Sequence, residues 1–454
     1  QFGTKLLSFF LVPLYTYVLS TAEYGTYDLM NTTVSLLVPI LSLNICDSAL
    51  RFPLDKDVDR KQVFSICCLH MFASVLFGGI LIGLNYCFDV ISIVNDYPVL
   101  FLLLFASNAI SGFLNCFVRG IDKVKEVAIS GVLSSAVMIA LNLLFLLPLH
   151  MGLLGFFLAT IIGSFSQSIY LFMAIKGWRY FQITSRDKQL HRDMVNYSQP
   201  LILNNISWWV NGVSNRYIIT WFCGIAANGI YSVSYKIPSI LVMFQGIFSQ
   251  AWTMSAVQGY DKDDKNGFFT RMYQSYNLCM VLVCSVLIML SRVMAKFLYA
   301  NDFYNAWKYV PFLLIASVFG ALSGYVGGIF AATKDTKIFA KTSIMGAVAN
   351  LLLTFVLVWK VGVMGAAIAS PVSYGLIWYL RIKNVSKYMN MKINLFKDVF
   401  GYLILCIQTV LLFIFPDNIL FFILQLLAIV VLLLLNKELL SIVMNKITNK
   451  FIKR

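Results

Sequence analysis

Three basic residues, Lys5, Arg216 and Lys236, stand inside stretches of the chain that are otherwise apolar. A lysine or arginine near the middle of a membrane-spanning helix costs at least about 2.5–3.5 kcal/mol, and it persists by facing a bundle interior or an aqueous cavity. Two kinds of chemistry suit such a cation: a structural salt bridge, or attraction of an anionic ligand. Near them, Asn204, Trp208, Asn211 and Asn215 fall on one face of a helix, with Ser207 and Ser214 beside them and Arg216 next along. Amides can donate to and accept from hydroxyls, and an indole face suits the C–H face of a sugar ring. The stripe is therefore expected to face carbohydrate, with close helix packing as the alternative.

Carboxylates that could neutralise these cations are scarce. The spacing puts Asp28 near the outer end of its span, where it could pair with a basic residue or take part in ion coupling; Asp47 lies four residues before Arg51 and is expected to pair there. Lys5 has no evident partner. An excess of positive charge in a central space follows as the expectation. The face of Lys236 reads Ser232, Lys236, Ser239, Met243, Gly246, Gln250, and a corresponding face earlier in the chain reads Asp28, Thr32, Ser35, Pro39, Ser42, Cys46. Both faces are small or polar while their flanks are Leu, Ile, Val and Phe. Pro39 and Pro238 lie within these two stretches and predict bends.

The elements that must hold these residues are membrane helices. Of the 454 residues, 59% are hydrophobic and only 12% charged, which excludes an ordinary soluble protein. Apolar runs long enough to span a bilayer fall near 1–19, 28–50, 63–84, 98–118, 127–148, 152–175, 198–222, 227–255, 268–298, 307–330, 343–359, 362–381, 398–416 and 418–436. The predicted fold is an all-α polytopic membrane protein of about fourteen transmembrane helices. Because the chain starts at Gln1, a few native residues are expected to precede it.

The net charge of +15 is distributed by topology rather than gathered for nucleic acid. Every second junction, together with the tail, holds 28 of the 35 Lys and Arg, and the intervening junctions hold four. By the positive-inside rule both termini are cytoplasmic. Nine cysteines without metal spacing read as packing residues, not as a disulfide framework.

An internal repeat organises the spans. "STAEYGTYDL" (20–29) aligns with "GIAANGIYSV" (224–233), matching Ala22 with Ala226, Gly25 with Gly229 and Tyr27 with Tyr231; "GLLGFFLA" (152–159) aligns with "GVMGAAIA" (362–369). Six spans per repeat give both halves the same orientation. The expected organisation is an N-lobe over 1–175, an inter-lobe cytoplasmic loop over 176–196 and a C-lobe over 197–381. A loop and two further helices fill 382–436, and a basic tail fills 437–454. Two six-helix lobes suit alternating access to a site between them.

Other signals fail. "DKDVDR" (55–60) opens like a calcium loop but has Arg60 where glycine is needed, and "DKDD" (261–264) sits alone in a short loop. His70, His150 and His191 are scattered, and there is no phosphate loop, so no catalytic residue, metal or cofactor is expected. A membrane polysaccharide polymerase or acyltransferase would need a large outer loop or paired catalytic groups, and neither is present.

The stretches "FGTKLLSFFLVPLYTYVLSTAEYGTYDLMNTTVSLLVPILSL" and "NRYIITWFCGIAANGIYSVSYKIPSILVMFQGIFSQAW" resemble bacterial O-antigen and capsule polysaccharide flippases. Their superfamily also contains lipid II flippases and multidrug and toxin extrusion transporters. The resemblance implies two lobes in a pseudo-two-fold parallel repeat, forming a V around a cationic cavity in the bacterial inner membrane. It implies that an undecaprenyl-pyrophosphate-linked oligosaccharide is moved to the outer leaflet, with H+ or Na+ coupling, and that a polysaccharide polymerase and chain-length regulator act as partners. Arg216 and Lys236 fall where the family places basic residues, and Lys5 matches a basic position on helix 1 of the lipid II relatives. The runner-up is a drug exporter of the same superfamily, which would place carboxylates rather than Lys and Arg in its cavity.

Overall fold

The computed structural model describes residues 9–55, 57–89, 91–182, 187–333 and 336–437. Among them every regular element is a helix, from Val12–Val18 to Ile419–Leu435. The chain is an all-α, multi-pass membrane protein. Nine described helices are long and apolar enough to cross a bilayer, or ten if the bent pair Thr21–Leu41 and Ile45–Leu54 counts as one span. The remaining expected spans include the two stretches that carry the candidate polar residues, Lys188–Cys223 and the pair Ile225–Ser234 and Pro238–Gln258.

Contacts divide the chain into two compact units: Gln1–Tyr217 with Ile225–Gly229, and Ile218–Gly224 with Ile230–Arg454. In the first unit, helices Arg60–Phe88 and Pro98–Gly120 pack through a cluster of rings in which Phe64 and Phe117 lie 4.9 Å apart. In the second, Trp252 stacks on Tyr325 at 4.0 Å and donates its indole N–H to the Tyr325 carbonyl at 2.8 Å. Helix Lys188–Cys223 begins inside the stretch read as the 176–196 loop, because Asp187 Oδ1 accepts from the Gln189 and Leu190 N–H groups and supplies an N-cap.

The repeat is visible at the starts of two helices. Thr21–Leu41 opens with a capping box in which Ser20 and Glu23 satisfy each other's backbone N–H. Its Gly25 approaches the Ile225–Ser234 helix so closely that a Cβ there would lie 2.2 Å from the Ile225 carbonyl oxygen. A Cβ on Gly229 would lie 1.9 Å from the Thr21 carbonyl oxygen. The two clashes mirror each other at the repeat offset, so glycine is required at both positions. Asn228 Nδ2 adds a hydrogen bond to the Gly25 carbonyl at 3.3 Å.

Both repeat-related helices are broken, each in its own way. Thr21–Leu41 contains Pro39, and the chain turns at Leu43 and Asn44, whose φ values of 52° and 54° are left-handed; Ile45–Leu54 leaves at 67°. The second breaks after ten residues. There Tyr235 N–H bonds to Ser232 and Lys236 N–H to Val233, a tightened turn that leads into Pro238, the first residue of the next helix. Proline has no N–H to continue the ladder, and so the turn before it closes on i−3 carbonyls instead.

Candidate functional site

Within the first unit, the Thr21–Leu41 and Lys188–Cys223 helices meet through a row of polar groups. Trp209 Nε1 donates to the Thr32 carbonyl at 2.9 Å. Two residues of the next turns, Thr33 and Tyr217, join their hydroxyls at 2.6 Å, and the Trp209 and Tyr217 rings lie 5.4 Å apart. In the same row, Arg216 Nε lies 3.1 Å from Asp28 Oδ2, with side-chain exposures of 16% and 12%. Such low exposure makes this an embedded ion pair. Removal of either partner would strand a charge, at a cost of about 3–5 kcal/mol.

The sequence leaves Asp28 two roles, pairing with a basic residue or ion coupling, and gives Arg216 an anionic ligand; in the structure the two residues form one pair. The Arg216 charge is therefore compensated within the protein. Asp28 was picked out because intramembrane carboxylates are rare, and its i, i+4 companion Thr32 indeed shares its face, both being buried. Trp209 and Tyr217 were missed. Trp209 sits one position and Tyr217 two positions from the nearest residue of that stripe, and their roles follow from the neighbouring helix rather than from spacing.

On the chosen stripe, Asn211 and Asn215 are buried, and Asn211 Nδ2 donates to the Ser207 carbonyl of its own helix at 3.1 Å. Trp208 is 47% exposed. Asn204 lies in the same helix, but its side chain is outside the described residues, as is Lys5. Asp47 does not pair with Arg51: it accepts from Asn44 Nδ2 at 2.7 Å, while Arg51 pairs with Asp55 at 2.6 Å. Each is taken by a competing partner, Asn44 at the start of the helix and Asp55 beyond its end.

Lys236 belongs to the second unit and occupies the middle of the three-residue break between Ile225–Ser234 and Pro238–Gln258. It is half-buried, with Ser232 and Ser234 buried on the preceding turn. Its own carbonyl accepts from Ser239 Oγ at 2.5 Å, which satisfies one of the backbone groups that the proline turn frees. The ammonium is thus carried on backbone that is irregular and locally polar.

Two further charged groups of the second unit were not singled out by sequence. Arg381 was counted with the basic junctions, yet it is 1% exposed. The helix runs on to Val385, and this extra turn keeps Arg381 among its neighbours. There the guanidinium donates to Thr342 Oγ1 (3.2 Å), the Ser323 carbonyl (2.8 Å) and Ser343 Oγ (2.8 Å), and lies 4.1 Å from the Phe339 ring centre. Asp398, in the first turn of Leu395–Ile414, accepts from Asn277 Nδ2 at 2.8 Å. No group of three or more His, Cys, Asp or Glu among the described residues could hold a metal ion.

Residues 1–257, more than half of the chain, match the family model described as polysaccharide biosynthesis protein. The chain belongs to that family. Its fold is that of known flippases and exporters: it superimposes with a TM-score of 0.69 on the lipid II flippase MurJ in an inward closed conformation, at 16% identity and covering 98% of each chain. An inward-facing multidrug resistance MATE transporter of the MOP superfamily gives a TM-score of 0.68 at 14% identity, over 86% of this chain and 95% of that one. Among curated relatives, rat multidrug and toxin extrusion protein 1 is 24% identical over 52% of this chain and 44% of its own length. The probable low-salt glycan biosynthesis flippase Agl15 of Haloferax volcanii is 20% identical over 44% of this chain and 43% of its own. The matches thus span less than half the length of these curated relatives.

Proposed function

We propose that this protein is a flippase that moves lipid-linked oligosaccharide repeat units, carried on a polyprenyl pyrophosphate such as undecaprenyl pyrophosphate, across a bacterial inner membrane by alternating access. The membership in the polysaccharide biosynthesis family supports a saccharide cargo, and the likeness to MurJ supports a lipid-linked one. The observation that carries the reading is Lys236. A cation is held at a helix break, on irregular backbone, in an otherwise apolar segment, and a substrate whose head is an anionic pyrophosphate is what such a residue serves. Exposed Trp208 offers an apolar face for sugar rings. An unassisted pyrophosphate would meet a prohibitive desolvation cost in hydrocarbon. O-antigen or capsule units are the cargo this reading favours, with both termini in the cytoplasm and a polymerase and chain-length regulator downstream.

The likeness to multidrug and toxin extrusion proteins supports a second reading, export of organic cations. An exporter of cations needs a carboxylate that is not already neutralised, and Asp28 is engaged by Arg216. One experiment separates the two. Cells that depend on this protein are scored for surface polysaccharide and for extrusion of a cationic dye, with wild type and Lys236→Ala at equal membrane levels. Loss of polysaccharide in the variant supports the flippase; dye extrusion that survives in the variant, with polysaccharide unchanged, supports the exporter.

A further inference from the structure

A long apolar groove runs along the second unit, between helices Val310–Ala332, Val363–Val385 and Leu395–Ile414, and encloses about 760 Å³. On the last of these its lining extends from Val399 to Ile414, about 22 Å at the rise of an α-helix, against about 30 Å for the hydrocarbon core of a bilayer. Leu403, Val410 and Ile414 are exposed along it, as is Val372 on the facing helix. So much open apolar surface is stable under hydrocarbon and costly under water.

The few polar side chains that line the groove are committed elsewhere. Trp378 Nε1 donates to the Tyr273 hydroxyl at 3.1 Å, the Tyr402 hydroxyl donates to Asn277 Oδ1 at 3.1 Å, and Thr409 Oγ1 donates to the Leu405 carbonyl of its own helix at 2.9 Å. Cys406 adds a thiol, which is a weak donor. The lining therefore suits an alkyl chain and offers little to a sugar.

One end of the groove is different. There Phe413 packs against Trp307 at 5.3 Å and Phe312 at 6.1 Å, and the Arg292 guanidinium lies 4.5 Å from the Trp307 ring centre. Arg292 Nη1 and Lys296 Nζ share the Asp417 carboxylate at 3.0 and 2.7 Å. Lys308 follows Trp307 directly, and Asp302 begins the same short helical segment, Asn301–Lys308. Three cations thus face two carboxylates, so this end carries an excess of positive charge. Tryptophan beside cations at the end of an apolar span marks the level of lipid headgroups.

We propose that the groove holds one acyl chain of an anionic phospholipid, with the phosphate against Lys296 and Lys308 at the Trp307 end. Such a lipid joins a chain that needs no polar partner to a headgroup whose negative charge matches the excess. Lys296 is exposed and carries three N–H donors, of which Asp417 needs one. The lipid is a fixed part of the second unit and not its cargo, so its binding can be read without transport.

The test is native mass spectrometry of the purified full chain in detergent, with dioleoylphosphatidylglycerol, dioleoylphosphatidylethanolamine or undecaprenyl phosphate added at equal concentration. The expected result is one phosphatidylglycerol retained per chain, with phosphatidylethanolamine retained severalfold less. Cys406→Trp, which fills the groove from an exposed position, should abolish that retention; Val410→Trp serves if the first variant does not fold. Lys296→Gln leaves Arg292 paired with Asp417 and should erase the preference between the two phospholipids. Equal retention of both by the wild type, retention unchanged in a folded groove-filling variant, or a preference that survives Lys296→Gln overturns the proposal. Displacement of phosphatidylglycerol by equimolar undecaprenyl phosphate also overturns it, and would give the groove to the cargo.

Discussion

Two helices related by the internal repeat begin alike and end differently. Thr21–Leu41 and Ile225–Ser234 touch through matched glycines in their first turns. From there the first runs unbroken past Thr32, whose hydroxyl bonds to the Leu29 carbonyl of its own helix at 2.9 Å. The second stops, and Lys236, the repeat counterpart of Thr32, falls in the break. One scaffold position is thus served by an ordinary helical threonine in one unit and by a cation on irregular backbone in the other. The architecture does not demand a lysine there. What differs between the two copies is where specific chemistry is to be sought.

The most damaging way to test the contrast lies in the first helix. Arg216→Ala leaves Asp28 buried without its partner and should lower stability by about 3–5 kcal/mol, read as loss of folded protein from membranes. Asp28→Leu combined with Arg216→Met should restore much of it. If the double variant folds and also exports polysaccharide, the pair is structural, and the contrast with Lys236 sharpens.

Lys236→Ala should fold and yet lower export about 10- to 100-fold, the loss expected for a charge-assisted contact of about 1.5–3 kcal/mol; Thr32→Ala, at the matched position, should change export little. Equal losses in rates of repeat-unit translocation would erase the distinction between the copies. Gly229→Ala forces a methyl toward the Thr21 carbonyl and should cost about 1–3 kcal/mol, with Gly25→Ala similar, both measured by thermal unfolding in detergent. Unequal costs would mean that one helix yields more readily. The smallest effect is expected for Pro238→Ala, about 1 kcal/mol or less in stability, with a measurable change in export only if the break itself positions the lysine.

The sequence shows its membrane character plainly, because the bilayer imposes a length on every apolar run and a sign on every junction. The matched glycines were legible for a similar reason: close backbone approach leaves only one residue type. Lys236 stood out because a lysine amid apolar residues is costly. The break at Asn44 was harder to see, since neither Leu43 nor Asn44 is restricted to left-handed backbone, and Pro39 drew attention to a bend a turn too early. Arg381 lay at the end of an apolar run and looked like a junction charge. Only the neighbouring helices, with Ser323, Thr342 and Ser343, show that it is enclosed. Asp398 was hidden for the same reason: Asn277 lies 121 residues away in the chain, and no periodicity along one helix reports a partner on another.

The glycine contact also has a consequence in time. Ribosomes add about 5–20 residues per second, so roughly 10–40 s pass between synthesis of Gly25 and of Gly229. Throughout that interval the first turns of an early helix carry a bare strip of backbone that its partner has yet to cover. The first unit is closed by residues made after its own last span, and a nascent chain halted between the two glycines would present the quality-control machinery with an unsealed half.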